Sequence, residues 1–198
     1  MNLYKTLIFI IFFSYNFLSA QIENNKDAKG VFLSLGVGPR FPMGEFASRS
    51  NIGPGFCAVV SYTDVNFLPI FFYGKFGYQN HSGSYKFYQN SDHSTLTSSL
   101  FSADFGVKYF FNPIVDDMIL LMPFAEGGIS YSYVTDFHQY KIDLEKSNRL
   151  ENLSKVGFHF GGGLSLFLMD IVASYNYLYE YQFFSLDLRI TIPVAATL

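Results

Sequence analysis

The chain predicts an all-β fold, an eight-stranded antiparallel up-and-down transmembrane β-barrel with a polar interior. Three observations predict it. Long stretches alternate apolar and polar side chains with period two. The connections between them alternate short and long. An apolar leader of secretory type stands before the first stretch. Side chains alternate faces along a strand, so period two marks a strand with two unlike faces. The stretch 100–111 shows it best. One face carries Phe101, Ala103, Phe105, Val107, Tyr109 and Phe111; the other carries Ser102, Asp104, Gly106, Lys108 and Phe110. An amphipathic helix needs apolar spacings of three and four.

Residues 1–20 read as a signal peptide rather than as fold. Lys5 is a lone early positive charge, residues 7–13 form an apolar core too short for a membrane helix, and Leu18-Ser19-Ala20 supplies small residues before Gln21. A short segment, 21–29, follows. Residues 30–198 are read as the barrel domain.

The first strand, 31–41, sets Val31, Leu33, Leu35 and Val37 against Ser34, Gly36, Gly38 and Arg40. The second, 55–65, sets Phe56, Ala58, Val60 and Tyr62 against Cys57, Ser61 and Thr63. The third, 69–80, opposes Ile70, Phe72, Phe76 and Tyr78 to Tyr73, Lys75, Gly77 and Gln79. The fourth is 100–111. The fifth, 120–134, places Leu121, Ala125, Ile129, Tyr131 and Tyr133 opposite Glu126, Gly128, Ser130 and Ser132. In the sixth, 155–168, Val156, Phe158, Phe160, Leu164 and Leu166 oppose Gly157, His159, Gly161, Gly163 and Ser165. The seventh, 170–181, opposes Ile171, Ala173, Tyr175, Tyr177 and Tyr179 to Asp170, Ser174, Asn176 and Glu180. The eighth, 183–194, opposes Phe184, Leu186, Leu188, Ile190 and Ile192 to Ser185, Asp187, Arg189 and Thr191. Each is longer than the roughly 5–6 residues of a soluble strand and reaches the roughly 9–11 of a tilted membrane strand.

Residues 42–54, 81–98 and 135–154 are long polar connections; 66–68, 112–118 and 169 are short, and the connection near Gln182 is nearly absent. With both termini in the periplasm, the short turns fall on the periplasmic side and the long loops outside, as outer-membrane barrels require.

Composition narrows the function classes. Without Lys5 the chain holds 12 basic against 16 acidic side chains, a net charge of −4, which disfavours nucleic acid as a partner. Cys57 is the only cysteine, so no internal disulfide staples the fold. With 24 Phe and 15 Tyr but only 15% charged residues, the chain is greasy without a helix-length apolar run after the leader.

In its glycine-bearing first strand (Leu33-Ser34-Leu35-Gly36-Val37-Gly38), its Ala103-to-Phe110 strand and its Gly161-Gly162-Gly163-Leu164-Ser165-Leu166 run, the chain resembles the small eight-stranded outer-membrane barrels of the OmpA/OmpX-like group. The resemblance spans residues 30–194. It implies a cell-envelope protein, held as a monomer by outer-membrane lipid and delivered by barrel-insertion machinery. Such barrels usually end on an aromatic residue that this machinery recognises; here the end is Pro193-Val194-Ala195-Ala196-Thr197-Leu198.

Six inward charges recur: Lys75, Asp104, Lys108, Glu126, Asp187 and Arg189. At the lipid midplane each would cost roughly 2–4 kcal/mol. Turned inward they read as a salt-bridged filling; a proton path or a gated pore is the other reading. An eight-stranded barrel is only wide enough for side chains to fill. A lipid-modifying enzyme would need a Ser/His/acid group; His81-Ser82, His93-Ser94 and Glu180 near the outer rim supply those residue types, and they read better as solvated loop residues. His159 reads as a hydrogen-bonded filler. No His or carboxylate set has metal spacing, and the glycine pairs precede no helix that would make them phosphate loops. The charged 135–154 loop offers a surface for polysaccharide or an envelope protein partner. The expectation is a non-enzymatic barrel with a structural or surface-interaction role and no cofactor; a component of a protein-export or envelope assembly is the first alternative and a lipid-modifying outer-membrane enzyme the second.

Overall fold

The computed structural model describes residues 29–114, 121–141 and 147–197. The signal peptide read over 1–20 and residues 21–28 lie outside them. So do part of the 112–118 turn and the charged loop residues Asp143, Glu145 and Lys146. Eight strands follow in order: β1 (Lys29–Pro42), β2 (Gly53–Asp64), β3 (Ile70–Ser82), β4 (His93–Phe110), β5 (Leu121–Tyr140), β6 (Arg149–Leu166), β7 (Met169–Leu178) and β8 (Phe183–Thr197). Each pairs antiparallel with the next, and β8 returns to β1, so the barrel closes within one chain. Closure removes the free sheet edges that hydrocarbon cannot satisfy. Two short helices, α1 (Gly44–Arg49) and α2 (Tyr85–Gln89), sit in the connections at one rim.

The sides of the wall are inverted relative to a soluble protein. Leu35, Phe56, Phe76, Phe105, Ile129, Phe158, Ile171 and Ile190, one from each strand, point outward and are exposed. Buried inward are Ser34, Lys75, Asp104, Glu126, His159, Asp170 and Arg189.

Strand ends differ from the periodicity at the helix-bearing rim. β4 begins at His93 rather than Leu100, β5 continues to Tyr140, and β6 begins at Arg149. There Leu96↔His138, Ser98↔Asp136 and Asp136↔Glu151 remain in register. Backbone pairing continues above the apolar belt, where the outward side chains become Thr95, Thr97 and Ser99. Thus much of the 135–154 segment is a protruding hairpin. Met169, read as a turn, is the first residue of β7; the turn is 167–168, with Phe167 at φ 56°.

Candidate functional site

The register puts opposite charges side by side on the inner wall. Lys75 faces Asp104 between β3 and β4, Lys108 faces Glu126 between β4 and β5, and Asp170 faces Arg189 between β7 and β8. The actual partners are partly neighbours and partly across the lumen. Lys75 Nζ lies 2.9 Å from Asp104 Oδ2. The Arg189 guanidinium donates two hydrogen bonds of 2.9 Å to the Glu126 carboxylate. Arg189 also stands 3.8 Å from Asp187, which Arg40 reaches at 2.7 Å. Lys108 Nζ is 3.6 Å from Asp170 and 4.3 Å from the centre of the Phe124 ring. All eight of these ionic groups are buried.

Four cations thus meet four anions. Arg40 and Asp170 belong to this arrangement beside the six charges singled out by strand pattern. Burying an unpaired ion costs several kcal/mol, so a wholly paired set is the form in which charges can fill a lumen. Gly36 makes room for it: a Cβ there would stand 2.7 Å from Arg189 Cγ. A hydrogen-bonded layer lies next to the charges. His159 Nδ1 is 2.8 Å from Ser130 Oγ, and its Nε2 meets the Tyr73 hydroxyl. Between Arg40, Lys75, Gln79, Asp104, Asn176 and Asp187 the filling leaves a cavity of about 20 Å³, room on the scale of one water.

The two mouths are chemically unlike. Near Lys108 and Asp170 the lumen opens into a pocket of about 240 Å³ walled by Phe32, Phe71, Phe110 and Met122. At the other mouth α1 lies across the opening. Its Phe46 is fully buried against Leu100, Val134, Leu178, Tyr181 and Phe183. Arg49 of α1 covers the Tyr181 ring at 4.4 Å, and the Tyr181 hydroxyl donates to Asp136 Oδ2 at 2.6 Å. Burial pushes the Tyr181 phenol up, and its bond to the Asp136 carboxylate adds to the shift. Sequence periodicity missed this cap because α1 is six residues long, too short for a helical pattern to show.

The residues considered for acyl chemistry are dispersed. His81 is buried with Nδ1 at 2.9 Å from the Asn51 carbonyl, while Ser82 points to the exposed face. His93 Nε2 lies 3.1 Å from His138 Nδ1. Ser94 donates to the carbonyls of Gln139 and Tyr140. Glu180 pairs with Lys155 at 2.9 Å.

No protein-family model matches the sequence, and no curated protein matches it. Solved structures do match. Neisserial surface protein A is similar over 83% of this chain and 97% of its own, at 13% identity and a TM-score of 0.50. This chain has the fold of the small eight-stranded outer-membrane β-barrels. The Ail protein of Yersinia pestis, crystallised with the heparin analogue sucrose octasulfate, covers 85% of this chain with 100% of its own, at 15% identity and a TM-score of 0.48. The N-terminal barrel domain of Pseudomonas aeruginosa OprF covers 81% with 95% of its own, at 11% identity and a TM-score of 0.40.

Proposed function

We propose that the protein is a monomeric, non-enzymatic barrel of the outer membrane, with both termini in the periplasm and its helix-bearing rim serving surface interaction. The observation that carries this is the inversion of the wall: paired charges inside, aromatic and aliphatic side chains outside. Water cannot be the solvent for such an exterior, whereas lipid is. The paired filling and the α1 cap support a closed body rather than a conduit for solutes. The helix-bearing rim supports a surface role, because the polar extensions of β4, β5 and β6 protrude there beside α1 of the β1–β2 connection and α2 of the β3–β4 connection.

Outer-membrane fractionation with unheated and boiled gel samples tests this reading. The folded barrel should fractionate with the membrane and migrate differently before boiling. Recovery as a soluble periplasmic protein would overturn it. Trypsin added to intact cells should cut near Lys141 or Arg149 if that rim faces outward; cleavage only after the outer membrane is opened would reverse the orientation.

A further inference from the structure

Beneath α1 a histidine is sealed from solvent. His81, next to last in β3, is fully buried, and the Phe46 ring meets its imidazole edge-on at a centroid distance of 4.8 Å. Its outward neighbours Asn80 and Ser82 are polar, which sets it above the apolar belt. Its Nδ1 lies 2.9 Å from the Asn51 carbonyl oxygen, which only accepts, so the proton of the neutral ring is on Nδ1. Nε2 is then bare, buried and without a partner in the protein. A second proton would go there, as a buried cation with no acceptor, which is costly.

The same ring holds the chain that carries α1. Asn51, two residues beyond the helix, accepts the His81 bond and donates its own amide to the Ser82 carbonyl at 2.8 Å. Among the charges around the ring, Arg40 of β1 acts on it as a cation and is itself paired with Asp187. Arg49 of α1 stands 5.8 Å from the centre of the Phe46 ring, and Glu45 of α1 is exposed. On β4 the register partner is uncharged Ser98; Asp136 lies one strand further on, held by Tyr181 and Arg49. On β2 the neighbour is Gly53, where a Cβ would stand 2.9 Å from Nδ1. His93 and His138 meet each other further out on β4 and β5.

We propose that His81 is an acid trigger for the cap: protonation of Nε2 releases α1 from the mouth and uncovers the apolar patch of Leu100, Val134, Leu178 and Phe183. Burial holds the imidazole below its ordinary value; the Asn51 bond opposes the shift, and Arg40 adds to it. With α1 lifted, the ring titrates near the free value of about 6.5. The open form therefore binds the proton more tightly. Closure keeps its full strength above about pH 6.5 and loses it as pH falls from there toward the lowered value, by up to about tenfold per pH unit. The proposed orientation enters only in naming the medium outside the cell as the source of acid.

Amide exchange of Ser50, which donates to the Phe46 carbonyl at 3.0 Å, reads the cap in the refolded full chain in zwitterionic micelles. Corrected for intrinsic rates and referred to the β-strand amides, its protection should fall severalfold between pH 7.5 and pH 5.5, about tenfold being the limit for one proton. The loss should be absent in His81→Gln, which stays uncharged, and kept in His138→Gln. In the native chain the His81 ring resonance should titrate below pH 6.5, and the loss of protection should level off at that midpoint. This second measurement decides the matter even if His81→Gln fails to refold. A ring that titrates at or above pH 6.5, protection that stays flat from pH 7.5 to pH 5.5, or a loss that persists in His81→Gln overturns the proposal. Exchange in micelles is independent of where the protein fractionates and of which rim faces outward, so this failure is separable from failure of the proposed function.

Discussion

Arg189 on β8 grips Glu126 on β5 through two parallel hydrogen bonds of 2.9 Å, and neither side chain reaches solvent. The two strands are not neighbours in the barrel, so the pair ties opposite parts of the wall across the lumen. Breaking a buried pair leaves an uncompensated charge and costs about 3–5 kcal/mol, whereas replacing both partners with apolar groups is often close to neutral. Arg189→Met should therefore lower stability by about 3–5 kcal/mol. Arg189→Met with Glu126→Leu should restore most of that loss. Urea unfolding of the lipid-refolded barrel reads both, and a double variant no better than the single would mean that packing, not charge, sets the cost.

The outer wall makes a depth-dependent prediction. Ile129 and Phe137 share the outward face of β5, Ile129 within the apolar belt and Phe137 on the strand extension above it. A cation on the lipid face costs about 2–4 kcal/mol at the midplane and about 0–1 near the interface. Ile129→Lys should thus reduce the folded band on a semi-native gel sharply, and Phe137→Lys should barely change it. Equal effects would mean that the belt is not centred where the exposed aromatic and aliphatic side chains place it.

How far this structure is legible in the sequence depends on which force writes each part. The lipid-facing stretches are legible because hydrocarbon demands an apolar residue at every second position, as at Phe101, Phe105 and Tyr109. The strand extensions are not. Above the apolar belt the outward face meets water, so Thr95, Thr97 and Ser99 look like loop, although backbone hydrogen bonds keep them paired with β5. The inward charges can be placed on a face from period two alone. Their partners cannot, because pairing across the lumen depends on closure and register. Arg40 and Asp170 lie on inward faces near strand ends, where the pattern alone gives no reason to join them to Asp187 and Lys108. Asp136 looked like a solvated loop residue and is buried under α1.

Phe46 is the buried anchor of the cap. Phe46 is fully buried between His81 and Tyr181, with ring centroids at 4.8 and 5.3 Å. A buried Phe→Ala change costs about 3–5 kcal/mol when the site cannot collapse. The other contacts of this six-residue helix, Arg49 on the Tyr181 ring and the Ser84 N–H donated to the Arg49 carbonyl, lie at the same rim, so the loss should appear as local opening rather than global unfolding. Phe46→Ala should speed trypsin cleavage after Arg49 at least tenfold while leaving the urea midpoint of the barrel within error. A lowered midpoint with unchanged cleavage would show that α1 is part of the barrel's cooperative unit.

Alkali should open the same cap. The Tyr181 phenol is pushed above its ordinary value by burial first, then by the hydrogen bond it donates to Asp136. A phenol free in water titrates near pH 10. Because the folded state binds this proton more tightly than the unfolded state, its contribution is fully present below about pH 10. It is lost as pH rises from there toward the raised folded value. Ionisation would also set a phenolate beside the Asp136 carboxylate, with Arg49 and Lys155 over the ring as nearby cations. Trypsin is unsuited to this range, so exchange of the Ser50 amide, which donates to the Phe46 carbonyl at 3.0 Å, relative to the β-strand amides and corrected for intrinsic rates, is the readout. Protection at Ser50 should hold up to about pH 10 in the native chain and fall above it. In Tyr181→Phe it should be lower at neutral pH, because Asp136 loses its donor, and independent of pH over that range. A pH-dependent loss that persists in Tyr181→Phe would assign the effect to another group.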